Sequence, residues 1–296
     1  MATSEVAGKE GAIRAQVTRA VQWQPARNSL KYVAHAAARG RAEVLRVRGT
    51  MPQVANIFTG SCPKSGSQWA KALFDHPVVR SHTGLFTLPQ LAYWERPLRG
   101  FPGGTFVPGL YISYDQYQAM PKPLPHRMVY VFRDPRDIVV SAYGSTFTHR
   151  RLKNAGEIEA ALDGKSIDNQ LLWLLKNGEG HLRDMATWVG VEERDPSVAT
   201  WRLEDIGADH AGAVKGMLDH CEVELSQSEL DRVLTETSRE ALQKRDLAER
   251  ADPSSESHYR VRRQSYQELF KPEHYLALEE VVPGLIEKLG YPPSEY

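Results

Sequence analysis

Three short apolar runs constrain this chain most: VANIFTG (54–60), RMVYVF (127–132) and SVATWRL (197–203). Each is too short for a helix and lacks polar alternation, the pattern of a strand buried on both faces. The first runs into a Gly-containing turn and then SQWAKALFDH (67–76), where Trp69, Leu73 and Phe74 fall at helical spacing. The second runs into RDPRDIVVSAY, where Asp134 can cap a helix and Pro135 suits its first position. Residues 156–189 read as mainly helical. Ser226 and Glu229 stand three apart, as in a capping box. The tail KPEHYLALEEVVPGLIEKLGY reads as an amphipathic helix kinked at Pro283. Strands alternating with helices imply an α/β fold with a central parallel sheet flanked by helices.

We expect one domain over residues 51–296. Residues 93–114 are rich in Gly, Pro and aromatics and read as a long irregular segment, of the kind that shapes substrate pockets. Residues 1–50 hold nine Lys/Arg against three Asp/Glu and read as a basic extension, helical and peripheral. Over the whole chain 37 basic residues balance 37 acidic ones, so bulk charge gives no reason to expect nucleic acid as a partner. Two cysteines make no disulfide framework and fit a reducing compartment. No run approaches the ~20 apolar residues of a transmembrane helix, and the first residues lack the apolar core of a secretory signal. The expected location is cytoplasmic, without a transmembrane segment.

The stretch GSCPKSGSQWAKALF (60–74) is the first candidate site. A strand, a tight turn and a helix start bring free backbone N–H groups and the positive end of a helix dipole to one place. Lys64 adds a mobile charge, Ser65, Ser67 and Gln68 add donors, and Gly66 lets a ligand approach the backbone. The G-x-x-x-x-G-K-[ST] spacing of a triphosphate loop is absent, because here the lysine precedes the glycine. The second candidate is YVFRDPRDIVVSAY (130–143). Arg133 at a strand end can fork onto a phosphate, and Ser141, eight residues on, can donate a hydroxyl to it. Alternatively Arg133 pairs with Asp134 or Asp137, and Ser141 is a packing residue.

In these residues the chain resembles the PAPS-dependent sulfotransferase family. PKSGSQW (63–69) is similar to its P-K-S-G-T-T-W loop, and YVFRDPRDIVVSAY to its 3′-phosphate segment. WRLEDI (201–206) resembles the strand end Y-E-D-L, ETSREAL (236–242) is a weaker echo of a further cofactor-contacting segment, and RVRRQSYQELF with the helix after it resembles the basic loop and final helix. The blocks run in family order over residues 54–291. The resemblance implies a P-loop-like strand–loop–helix site for phosphosulfate and transfer of a sulfuryl group from PAPS to a hydroxyl of a small-molecule acceptor, a phenol or alcohol. The product is adenosine 3′,5′-bisphosphate, and no metal is required. It assigns Lys64, Ser65, Gly66, Ser67 and Gln68 to the 5′ side, with Lys64 also catalytic. Trp69 goes to the adenine, and Arg133, Ser141, Arg260, Arg262 and Arg263 to the 3′-phosphate.

The departures are specific. Tyr111 stands where many members carry a histidine base, and a phenol near its ordinary pKa of ~10 is a poor base at neutral pH. His82, His149 or Asp115 are then candidates, or the acceptor is acidic enough to need little help. Ser67-Gln68 replaces the usual Thr pair, Leu203 replaces a Tyr, and Arg-Arg-Gln replaces Arg-Lys-Gly. Cys62 reads as a small buried residue and not a nucleophile. Two other readings stand beside sulfuryl transfer: a degenerate nucleotide binder without activity, and an ATP-using phosphotransferase.

Overall fold

The computed structural model describes residues 24–90, 100–146, 162–249, 259 and 265–293. Five strands form one sheet: β1 (Asn56–Ser61), β2 (Phe86–Thr87), β3 (Thr105–Leu110), β4 (His126–Phe132) and β5 (Val198–Arg202). Their order is β2-β3-β1-β4-β5 and every pairing is parallel. β1 and β3 are buried throughout. β1 sends Ile57 to one apolar cluster and Phe58 to the other, the period of two that a strand requires.

Two helical layers cover the sheet. On the Phe58 side pack α1 (Gln24–Arg48), α4 (Tyr114–Ala119), α5 (Pro135–Thr146) and α6 (Ile167–Ala186), together with α11 (Tyr266–Leu269), α12 (Pro272–Val281) and α13 (Leu285–Lys288). On the Ile57 side pack α2 (Ser67–Phe74), α3 (Pro77–Thr83), α7 (Leu203–Ala208), α8 (His210–His220), α9 (Gln227–Glu236) and α10 (Arg239–Glu249). The capping box of Ser226 and Glu229 starts α9 as its spacing predicts. The expected tail helix is two helices: α12 ends at Val281, before Pro283, and Gly284 caps α13.

The segment read as irregular needs correction. It contains β3, which pairs inside the sheet between β2 and β1 despite Pro108 and Gly109. The ladder to β1 shifts register between Phe58 and Gly60, and β2 pairs with β3 only at Thr105 and Phe106. Pro108 therefore lies past the end of the β2 ladder. Gly109, at φ 63°, donates its N–H to Thr59 Oγ1 at 2.9 Å. A bulge accommodates both breakers.

α1 lies on the domain. Ala38 and His35 are buried, Arg39 Nη2 donates to Gly100 O at 2.5 Å, and Arg41 Nη2 donates to Gly84 O at 2.7 Å. Both His35 nitrogens lack a hydrogen-bond partner among the described residues, and burial, with Arg39 nearby, pushes the imidazole below its usual pKa. No helix among the described residues is long and apolar enough to cross a membrane.

Candidate active site

In this strand order the chain leaves β1 toward β3 and leaves β4 toward β5. The crevice between the carboxyl ends of β1 and β4 is where open parallel sheets take ligands.

The turn after β1 is built for an anion. Ser65 N–H closes back on Cys62 O at 3.2 Å. Lys64 sits in the left-handed region at φ 73°, uncommon for a residue with a Cβ. Gly66, at φ 87°, is the N-cap of α2, and no side chain caps that helix. A Cβ on Gly66 would stand 2.7 Å from Leu203 Cδ1, so a glycine fits there and a larger residue does not. Ser61 Oγ and Ser65 Oγ are buried without a hydrogen-bond partner among the described residues. A buried hydroxyl left unsatisfied costs about 1–3 kcal/mol, which a ligand oxygen would recover. A phosphate-bearing group therefore fits this turn on its donor chemistry.

The turn after β4 faces it. Arg133 Nη1 donates to Lys64 O at 2.7 Å and ties the two turns together across the crevice. Asp134 does not pair with Arg133. It holds Arg136 instead, through a fork of Nε at 3.0 Å and Nη2 at 2.7 Å, and accepts the Arg136 N–H at 2.9 Å. Both side chains of that pair are buried. Arg136 also lies over the Tyr266 ring at 4.1 Å and donates to Pro292 O at 3.0 Å, which docks the C-terminal segment. Ser141 is half-buried on α5, about two turns in.

The end of β3 supplies the third wall. Tyr111 Oη lies 2.9 Å from Ser67 Oγ and accepts from Gln90 Nε2 at 2.8 Å, while Gln68 Nε2 donates to Gln90 Oε1 at 3.1 Å. These four side chains close a ring that joins the first turn of α2 to the exit of β3. Burial raises the Tyr111 pKa, so this phenol keeps its proton. Trp188 Nε1 donates to Ile112 O at 2.8 Å, and Tyr114 N–H donates to Thr187 Oγ1 at 2.8 Å, so the end of α6 pins this exit. His181, on the same helix, stands edge-on to the Tyr111 ring with centroids 6.5 Å apart. Burial lowers its pKa and nearby Asp184 pulls it back up.

Of the residues singled out in the sequence, Lys64, Ser65, Gly66, Ser67, Gln68, Arg133 and Tyr111 surround the crevice. Trp69 is buried in the Ile57-side core. Its Nε1 donates to Thr237 O at 3.1 Å and its ring meets His210 edge-on. Tyr259 Oη donates to Gln68 O at 3.1 Å. His82 is engaged elsewhere, 2.8 Å from Glu229 Oε1 between α3 and α9, where that hydrogen bond helps hold the Glu229 carboxyl down to about 2. Asp115 is exposed in the first turn of α4. Cys62 is buried, and burial pushes its thiol pKa up, which suits an inert packing residue. His149, Arg260, Arg262 and Arg263 lie outside the described residues. Gln90 and His181 were not singled out, because neither lies in a recognisable motif and only the fold brings them to Tyr111.

A parallel sheet with an uncapped, glycine-bearing anion turn at its switch point defines an α/β protein built to hold a phosphate-bearing ligand. The family is more specific. The model of the sulfotransferase domain matches residues 55–288, and the chain belongs to the sulfotransferase family. An amine sulfotransferase of Oryctolagus cuniculus is 22% identical over 197 residues, covering 62% of this chain and 62% of that protein. A flavonol 4′-sulfotransferase of Flaveria chlorifolia is 27% identical over 181 residues, covering 55% of this chain and 54% of that protein. The chain thus spans roughly three fifths or less of the length of these curated relatives. Among solved structures, a mouse sulfotransferase complexed with PAP superposes with a TM-score of 0.56 at 17% identity, covering 78% of this chain and 84% of that one. A retinol dehydratase in complex with retinol and PAP gives 0.51 at 16%, covering 83% and 85%. At these identities the likeness shows the fold.

Proposed function

We propose that the chain transfers a sulfuryl group from PAPS to a hydroxyl of a small acceptor, a phenol or an alcohol. The observation that carries this reading is the turn after β1, with its buried unpartnered Ser65 hydroxyl and its tie through Lys64 O to Arg133. Bound PAPS supplies an activated sulfuryl group on a phosphate leaving group. Lys64, Ser65, Gly66, Ser67 and Gln68 hold its 5′ side with backbone N–H groups, hydroxyls and one ammonium. Lys64 places positive charge where the leaving phosphate gains negative charge, the electrostatic help that transfer needs most. Arg133 and Ser141 hold the 3′-phosphate, Arg133 with its two-pronged donor geometry. Trp69 backs the adenine from the core. The acceptor lies against the wall formed by Tyr111 and Gln90, and the named relatives, acting on an amine and a flavonol, are compatible with a small molecule there.

Thermal shift with adenosine 3′,5′-bisphosphate against ATP–Mg²⁺ tests the ligand. Stabilisation by the bisphosphate is expected, and stabilisation by ATP–Mg²⁺ alone would overturn the reading in favour of a phosphotransferase. Incubation with labelled PAPS and a panel of phenols and alcohols tests the reaction. Tight binding of the bisphosphate with no transfer to any of them would overturn catalysis and leave a nucleotide binder. The variant Lys64→Ala should lose about 10²–10³ in kcat while keeping its bisphosphate affinity to within severalfold.

A further inference from the structure

The acceptor's proton needs a destination, and Tyr111 does not offer one. Its phenol is half-buried, keeps its own proton and spends its oxygen on Gln90 and Ser67. The imidazole of His181 stands edge-on to that ring, 6.5 Å between centroids and 72° between planes. It is held there by construction. The last turn of α6 and the residues just after it bind the exit of β3 through Trp188 to Ile112 and Thr187 to Tyr114. Asp184 lies one turn beyond His181 and near Cys62, whose thiol pKa it helps raise. His181 and Asp184 thus face the carboxyl ends of β3 and β1, where the phosphosulfate turn begins.

This inference rests on the proposed function. We propose that His181 is the proton acceptor of the sulfuryl transfer, delivered by α6 instead of by the end of β3. The acceptor O–H gives its proton to an imidazole nitrogen as its oxygen bonds to sulfur. The electron pair of the breaking S–O bond leaves on the 5′-phosphate of the bisphosphate product. The imidazolium that forms is stabilised by the Asp184 carboxylate and returns its proton to water after product release. The groups around His181 suit the task. Burial holds its pKa below the usual histidine value, which favours the neutral form that can accept a proton, while Asp184 favours the imidazolium. Tyr111, from the end of β3, remains uncharged beside it.

The test compares the wild type with His181→Gln. The first readout uses no turnover: ¹⁵N-labelled histidine in the complex with adenosine 3′,5′-bisphosphate gives the pH at which His181 takes up a proton. The second is the pH profile of kcat/KM for an alcohol acceptor at saturating PAPS. Its acid limb should fall at that same pH in the wild type and vanish in His181→Gln. His181→Gln should also bind the bisphosphate like the wild type but lose about 10²–10⁴ in kcat, more for an alcohol than for an acidic phenol. A His181→Gln protein that keeps both the acid limb and the turnover overturns the assignment, as does an acid limb at a pH where His181 does not titrate. If the wild type neither binds the bisphosphate nor transfers sulfuryl, the family function itself falls. If the wild type does both and His181→Gln is indistinguishable, only the role of His181 falls. Should His181→Gln not fold, the wild type decides alone: the pH at which the His181 nitrogens protonate and the pH of the acid limb should coincide, and a mismatch overturns the proposal.

Discussion

The turns after β1 and β4 occupy equivalent places at the ends of adjacent parallel strands, yet they are satisfied in opposite ways. The Asp134–Arg136 part of the β4 turn is complete within the protein: Asp134 caps the backbone and forks onto Arg136, which stacks on Tyr266 and reaches Pro292. Among the described residues, the β1 turn leaves Ser65 Oγ without a partner, leaves α2 without a side-chain cap and holds Lys64 in a left-handed conformation. Incomplete polar satisfaction, next to a pair that shows how completely such a place can be filled, supports the ligand site proposed for the β1 turn.

The comparison breaks most visibly on its closed side. Arg136→Ala leaves the Asp134 carboxylate buried without its counter-charge and should cost about 3–5 kcal/mol of stability, read by denaturant unfolding with or without nucleotide. On the open side the losses are smaller in stability and larger in binding. Gly66→Ala puts a Cβ into a left-handed residue and against Leu203, for about 1–2 kcal/mol, and should abolish detectable bisphosphate binding by calorimetry. Ser65→Ala removes an unsatisfied hydroxyl, so the ligand-free protein should melt at the same temperature or gain up to about 1 kcal/mol, while bisphosphate affinity falls. Loss of stability without loss of affinity in Ser65→Ala would remove the distinction between the turns.

His35 sharpens the same point, because it too is buried without a hydrogen-bond partner among the described residues but lies on α1, away from the crevice. Its folded pKa is lowered, so the unfolded chain binds its proton first. The stability it permits is present above its unfolded pKa of about 6.5 and is lost as pH falls from there toward the folded value. Other histidines are lowered as well, among them His76 and His220, so the measurable quantity is a difference. His35→Leu should flatten the decline in melting temperature below that pH relative to the wild type. The orphaned imidazole should respond to protons and the orphaned Ser65 hydroxyl to nucleotide.

Strands β1, β4 and β5 and the starts of α2, α5 and α9 were legible in the sequence because local signals agreed there: apolar runs, Pro135 at a first helical position, and Ser226 with Glu229. β3 was hidden, since Pro108 and Gly109 are local breakers and only the bulge opposite Phe58 to Gly60 makes them harmless. The same division holds in the site. Lys64, Ser65, Gly66 and Arg133 belong to contiguous stretches whose chemistry can be read in order. Gln90 and His181 become neighbours of Tyr111 only through tertiary packing, and the replacement of a histidine by Tyr111 signalled a gap without indicating what fills it. The stacking of Arg136 on Tyr266 was likewise unreadable, because 130 positions of chain separate the two.

The hydrogen bond from Trp69 to Thr237 O spans 168 residues, and that from Tyr259 to the carbonyl of Gln68 spans 191. Both brace the first turn of α2, immediately behind the anion turn. During synthesis the turn leaves the ribosome long before its braces exist, and contacts of such sequence separation form late. The proposed binding turn therefore gains both braces only after the nascent chain has emerged past Tyr259.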